Sequence, residues 1–216
     1  MRLYIGNKNY SSWSFRPWIA MKAKEIEFEE VLIPFDDEGG NPKFHEFSPT
    51  GKVPTLVAKA EGGTLTIWES LAILEYLHEG FPEKRFWPAD QDARALARAV
   101  ANEMHGGFTS LRNQCPMNMR REVRAIPVTE QTRKDVARIE TLWDECLDKS
   151  GGPFLFGEFC NADAMYAPVV NRLEKYLLSN HPTVIAYRKA MKAHPAWIEW
   201  EKAALKETWV VPADEA

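Results

Sequence analysis

The chain changes pattern once, and that change constrains the fold more than any single motif. Up to about residue 80, short apolar and β-branched runs alternate with helical spacing; beyond Asp90, Ala, Arg, Glu and Leu dominate and strand signals vanish. Arg2 to Gly6 reads as a strand, and from Phe15 the apolar positions Phe15, Trp18 and Ile19 follow helical spacing to about Lys24. Ile26, Phe28 and Val31 to Ile33 predict a second strand, stopped by Pro34 and the turn-rich DDEGGNP stretch. Val53 to Val57 and Leu65 to Trp68 predict a hairpin around Glu61-Gly62-Gly63, and Leu71 to Leu77 returns to helical spacing. The order β-α-β, then β-β-α, predicts a mixed sheet with helices packed on it. Phe81-Pro82 and Trp87-Pro88 punctuate a linker. Helical patterns then run over about 92–113, 129–149, 163–178 and 182–206, the last broken at Pro195. The predicted division is an α/β unit over 1–80, a linker over 81–90 and an all-helical unit over 91–216.

Composition narrows the function. In 216 residues, 45% are hydrophobic and 27% charged, enough apolar mass for a real core, and the formal net charge is −4. That balance argues against a nucleic-acid binder, which needs a basic surface to displace counterions. No window approaches the roughly 20 apolar residues of a membrane span. The apolar run at the N-terminus is too short for a signal peptide. Cys115, Cys146 and Cys160 are odd in number, lack CxxC spacing and have no histidine cluster nearby, so neither a disulfide framework nor a metal site is expected. The expected compartment is the cytoplasm.

Three clusters in the first eighty residues could carry chemistry. YSSWSFRPW, Tyr10 to Trp18, places serines before a helical run. Serines there serve as N-caps, and Pro17 fits a first turn because its missing N–H has no partner to lose. A helix start also favours anions, so a serine hydroxyl could instead donate to a thiolate. SPTGKVPTL, Ser48 to Leu56, puts Pro54 at the start of a strand; a cis Val53-Pro54 bond would leave the Val53 backbone able to pair with an extended peptide. The plain alternative is a loop-to-strand turn. IWESLAILEYL, Ile67 to Leu77, puts Glu69-Ser70 where strand passes to helix, as an exposed acid and a cap or as binders of a ligand's charged ends.

Taken together, the three clusters followed by an all-helical unit resemble the cytosolic glutathione transferases over nearly the whole chain. SSWSFRPWIAM is similar in register to the SSCxxRxRIAL stretch of the zeta class, the maleylacetoacetate isomerases, and FLFGEFCNADAMYAP to the family's second-domain capping segment. The resemblance implies a thioredoxin-like N-terminal domain with a mixed four-stranded sheet, a C-terminal α-helical bundle, glutathione as co-substrate without a metal, and a homodimer. It implies a thiolate stabilised by Ser11, with Ser12 close behind, and glutathione held by Lys52, Val53, Pro54, Glu69 and Ser70. The implied activity is conjugation or isomerisation of a small hydrophobic electrophile; the alternative is a non-catalytic glutathione-binding or regulatory protein on the same scaffold. Trp13 stands where the zeta motif has cysteine, Trp18 where it has arginine, and Cys160 where the family has a Ser or Thr cap. Either Asn161 then caps the helix one residue later or that end is weaker, and Asp163, three residues after Cys160, keeps the register of a capping-box acid. The electrophile pocket is expected between the domains, bordered by Trp13 and by Met104, His105, Phe108 and Arg112, which share one face of a continuous helix. The plain alternative keeps Met104 and Phe108 in the core and Arg112 in solvent.

Overall fold

Leu3 and Ile5 alternate with Arg2 and Tyr4 along β1 (Arg2–Ile5), and both are fully buried, the period-two pattern of a strand whose one face lies on a core. The computed structural model describes residues 1–36 and 40–215; residues 37–39 of the predicted DDEGGNP turn lie outside the described residues. β1 is parallel to β2 (Glu29–Leu32) and antiparallel to β3 (Thr55–Ala60), with Leu3 opposite Glu30 and Leu56. β4 (Gly63–Trp68) pairs antiparallel with β3, giving the order β2-β1-β3-β4. Helix α1 (Ser12–Ala23) makes the crossover that a parallel pair requires, and α2 (Ser70–Gly80) follows β4. The expected mixed four-stranded sheet is borne out.

The remaining long elements of the described chain are helices: α3 (Gln91–Gly106), α4 (Thr109–Gln114), α5 (Glu130–Ser150), α6 (Asn161–Lys175), α7 (Pro182–Ala193) and α8 (Pro195–Ala204). The helix expected over 92–113 is two helices. Gly106 and Gly107 end α3, and Phe108 takes a left-handed φ of 52° before α4 begins, so the four residues expected on one helical face do not share one. α6 is buried from Asn161 to Leu173 and packs against α1, α3 and α7. Phe15 of α1 stacks on Trp200 of α8 at 4.7 Å between centroids, and Trp18 meets the same ring edge-on at 5.0 Å. One hydrophobic core therefore runs through both halves of the chain.

Two helix starts differ from expectation. α1 begins at Ser12, so Pro17 lies inside the helix rather than in its first turn. Ser14, a candidate cap, is the helix's third residue; its hydroxyl accepts the Gly6 N–H at 3.2 Å from outside the helix. At α6 the cap is Cys160, and Asn161 is the first helical residue. Asn161 instead ties the two halves together: its N–H donates to Phe86 O at 2.8 Å and its Nδ2 to Leu74 O at 3.3 Å. The start is held by fully buried Asp163, which accepts from Cys160 N (2.9 Å), Leu155 N (3.0 Å) and the Tyr187 hydroxyl (2.8 Å). The carboxylate compensates for the weak thiol cap.

Candidate functional site

Two adjoining cavities open where the first eighty residues meet α4, α6 and the C-terminal segment. The larger, about 590 Å³, is lined by Tyr10, Ser11, Ser12 and Trp13 on one side and by Arg112, Met117, Arg172 and Asp214 on the other. The smaller, about 200 Å³, is lined by Pro54, Glu69, Ser70 and His105. Trp13, Lys52, Val53 and Arg112 border both.

The serine cluster sits at the head of α1. Ser11 is almost fully buried and its hydroxyl donates to Ser14 Oγ at 2.7 Å. Ser12 is half-buried, and among the described residues no hydrogen bond engages its hydroxyl. Arg16 fixes this turn from behind: Nη1 donates to Ser12 O at 2.9 Å and Nε to Met165 O at 3.0 Å on α6. Burial, with Arg172 and Arg112 adding to it, pushes the Arg16 guanidinium well below its ordinary range. That guanidinium lies 4.0 Å from the centroid of Trp13, Arg112 lies 5.4 Å from it, and His105 meets it edge-on at 5.3 Å. The indole is thus clamped by cation–π contacts as the wall between the cavities.

Val53 and Pro54 are joined by a cis peptide bond. The β3 ladder starts only at Thr55, and among the described residues no hydrogen bond engages the Val53 N–H or C=O. An extended peptide laid alongside would find both groups open. Gly51, two residues earlier, takes φ +63°, a left-handed conformation that favours glycine, and a Cβ there would displace the His45 ring, 2.3 Å away.

Glu69 occupies φ 69°, ψ 126°, a costly conformation for a residue with a side chain, and so aims its carboxylate over the smaller cavity, within 3.5 Å of His105 Nε2. Ser70 begins α2, is buried, and donates its hydroxyl to Trp13 O at 2.9 Å. Pro17 explains why that carbonyl is available: it has no N–H to give the residue four positions back.

Of the residues expected around the electrophile, Trp13, His105 and Arg112 line the cavities, whereas Met104 and Phe108 are packed in the core. The inward face of α3 buries Met104, and the break at Gly107 turns Phe108 away from the face it would hold on a continuous helix. Arg112 turns back to donate to His105 O at 3.1 Å. Tyr10, Arg16, Arg172 and Asp214 were not singled out by sequence. Arg172 carried a signal, as the lone cation in a run that is buried from Asn161 to Leu173.

This arrangement can be set beside known proteins. Residues 10–79 match the family model described as glutathione S-transferase, N-terminal domain. The maleylacetoacetate isomerase of Rattus norvegicus is 32% identical over 193 residues, covering 87% of this chain and 86% of the relative. The chain belongs to the glutathione S-transferase family. A solved glutathione transferase homolog from Burkholderia with bound glutathione superposes with a TM-score of 0.71 at 25% identity, over 95% of this chain and 98% of its own. A bacterial zeta-class maleyl pyruvate isomerase shares the fold, with a TM-score of 0.72 at 22% identity over 97% and 100% of the two chains. Zeta-class relatives thus sit beside a chain whose zeta-like serine motif carries tryptophan in place of cysteine.

Proposed function

We propose that this family member binds glutathione across the two cavities and uses its thiolate to conjugate, or to isomerise, a small electrophile. The observation that carries the reading is the convergence of the three sequence clusters: the serine pair at a helix start, the open Val53 backbone beside a cis proline, and Glu69-Ser70 share two cavities walled by one indole. Val53 pairs with the cysteinyl part of the tripeptide, Glu69 and Ser70 hold the γ-glutamyl end, and Lys52 faces a carboxylate. In this reading 1–80 is the glutathione domain, 81–90 the linker and 91–216 the electrophile domain.

Ser11 is the chosen thiolate donor. Two hydroxyls 2.7 Å apart can run their hydrogen bond in either direction. With a thiolate present, Ser14 donates to Ser11, Ser11 donates to sulfur, and the Gly6 N–H remains on Ser14. Each bond in such a chain polarises the next. Ser12, its hydroxyl uncommitted, is the second donor. The Tyr10 phenol also lines the cavity but is engaged by Arg120 and Glu215. Cysteine chemistry is disfavoured: all three thiols are buried, and burial pushes Cys115 and Cys146 up to about 11.

Calorimetry should show heat on adding glutathione, and the protein should conjugate 1-chloro-2,4-dinitrobenzene. Binding without turnover of any electrophile in a panel would favour the non-catalytic alternative, and no binding at all would overturn the reading. The rat relative's name supports isomerase substrates for the panel, and the clamped Trp13 is the feature that separates this site from them.

We also propose a cytoplasmic homodimer. Leu65 and Trp68 on the open edge of the sheet and Leu96 on α3 are each about 40% exposed, one set in each half of the chain, as a first-domain-to-second-domain contact needs. Sedimentation equilibrium at micromolar concentration should return twice the chain mass, and Leu65→Glu should shift the protein toward monomer. A monomeric parent protein would end this proposal.

A further inference from the structure

Residues 205–215 leave α8 and run back over the loop that precedes the serines. The Glu207 carboxylate accepts from Lys8 N at 2.7 Å and Asn9 N at 2.9 Å. Further along, Val211 is fully buried, and Asn118 Nδ2 donates to Asp214 O at 3.3 Å and to Glu215 Oε1 at 3.1 Å. The Tyr10 hydroxyl bonds the same Glu215 carboxylate. The segment is therefore pinned at both ends, and between the pins Asp214 becomes part of the larger cavity's lining.

Arg172 lines the same cavity. It is 4% exposed; Nε donates to Cys115 O at 2.8 Å, while Nη1 is buried with no hydrogen-bond partner among the described residues. No hydrogen bond among the described residues engages the Asp214 carboxylate either. An unspent cationic donor and an unspent carboxylate thus line the same cavity, facing each other across it without an ion pair among the described residues. Burial lifts the Asp214 carboxyl above its ordinary range and Arg172 draws it back down.

We infer that Asp214 tempers the charge preference of the electrophile pocket: its carboxylate offsets part of the positive charge that Arg172, Arg112 and Lys52 bring to the lining, so it weakens the hold on electrophiles bearing a carboxylate of their own relative to uncharged ones. The inference rests on the transferase reading for the identity of the pocket, and its test needs the glutathione site to bind but no turnover.

The test compares two product conjugates whose binding needs no turnover: S-(2,4-dinitrophenyl)glutathione, uncharged on its aryl part, and S-(4-carboxy-2-nitrophenyl)glutathione, which carries a carboxylate there. Calorimetry gives the Kd of each for the parent protein, Asp214→Asn and Asp214→Glu. Asp214→Asn should improve the carboxylated conjugate relative to the uncharged one by about tenfold, as removal of one nearby like charge predicts. Asp214→Glu should hold the parent ratio within about twofold, and added salt should shrink the gain. The side chain is partly exposed, so Asn threatens no core. An unchanged ratio in Asp214→Asn, or equal weakening of both conjugates, overturns the inference. A protein that binds both conjugates but turns over no electrophile would refute the transferase reading while leaving the ratio measurable.

Discussion

Ser11→Ala/Ser12→Ala should turn over 1-chloro-2,4-dinitrobenzene about a hundredfold more slowly than the parent protein at pH 6.5, while its glutathione Kd should move less than threefold. A free thiol titrates near 8.5, so at neutral pH it is mostly protonated. A hydrogen bond to the charged form and the head of α1 both favour the thiolate. Two units of pKa, about 2.7 kcal/mol, lie within reach of a charge-assisted bond from each hydroxyl. Removing both donors raises the thiol pKa, so the acid limb of the pH–rate profile moves to higher pH and the deficit narrows at pH 9. On the proposed reading affinity should change little, because Val53, Glu69 and Ser70 would hold the rest of the tripeptide. Ultraviolet absorbance of the bound thiolate against pH gives the shift directly. Full turnover in the double variant would mean that the helix start alone stabilises the sulfur.

Asp163→Ala should lower the melting temperature by about 10 °C. The side chain is fully buried and accepts three hydrogen bonds, from two backbone amides and a phenol. Alanine leaves all three donors without a partner in a dry setting, at a cost of about 3–5 kcal/mol. For a chain of this length each kcal/mol moves the midpoint by about 2–4 °C. Thermal melts followed by circular dichroism check it; a drop under about 3 °C would mean that water replaces the carboxylate. The damage should also reach the site, because α6 supplies Arg172 and the Met165 carbonyl that anchors Arg16.

The sheet and its connections were legible because β1, β3 and β4 and the helices each carry their own period. The α3–α4 break was missed although Gly106-Gly107 marks it, because the apolar spacing resumes in helical register beyond the pair and outweighed the glycine signal. Val53-Pro54 and Glu69-Ser70 could be read because each is one contiguous motif whose backbone and side chains act together. Arg172 and Asp214 could not, because packing rather than spacing brings α6 and the C-terminal segment to the same cavity. Met104 failed for the same reason in reverse: its helix face points into the core.

Pro17 bears on how the protein tolerates change. Because its ring withholds one N–H, α1 ends up tethered at Trp13 O to the first residue of α2. The serine-bearing helix start and the Glu69-Ser70 turn, far apart in the chain, are thereby coupled as a single clamp. An alanine at 17 would mend the helix and slacken the clamp, a local gain in regularity with a loss of alignment elsewhere.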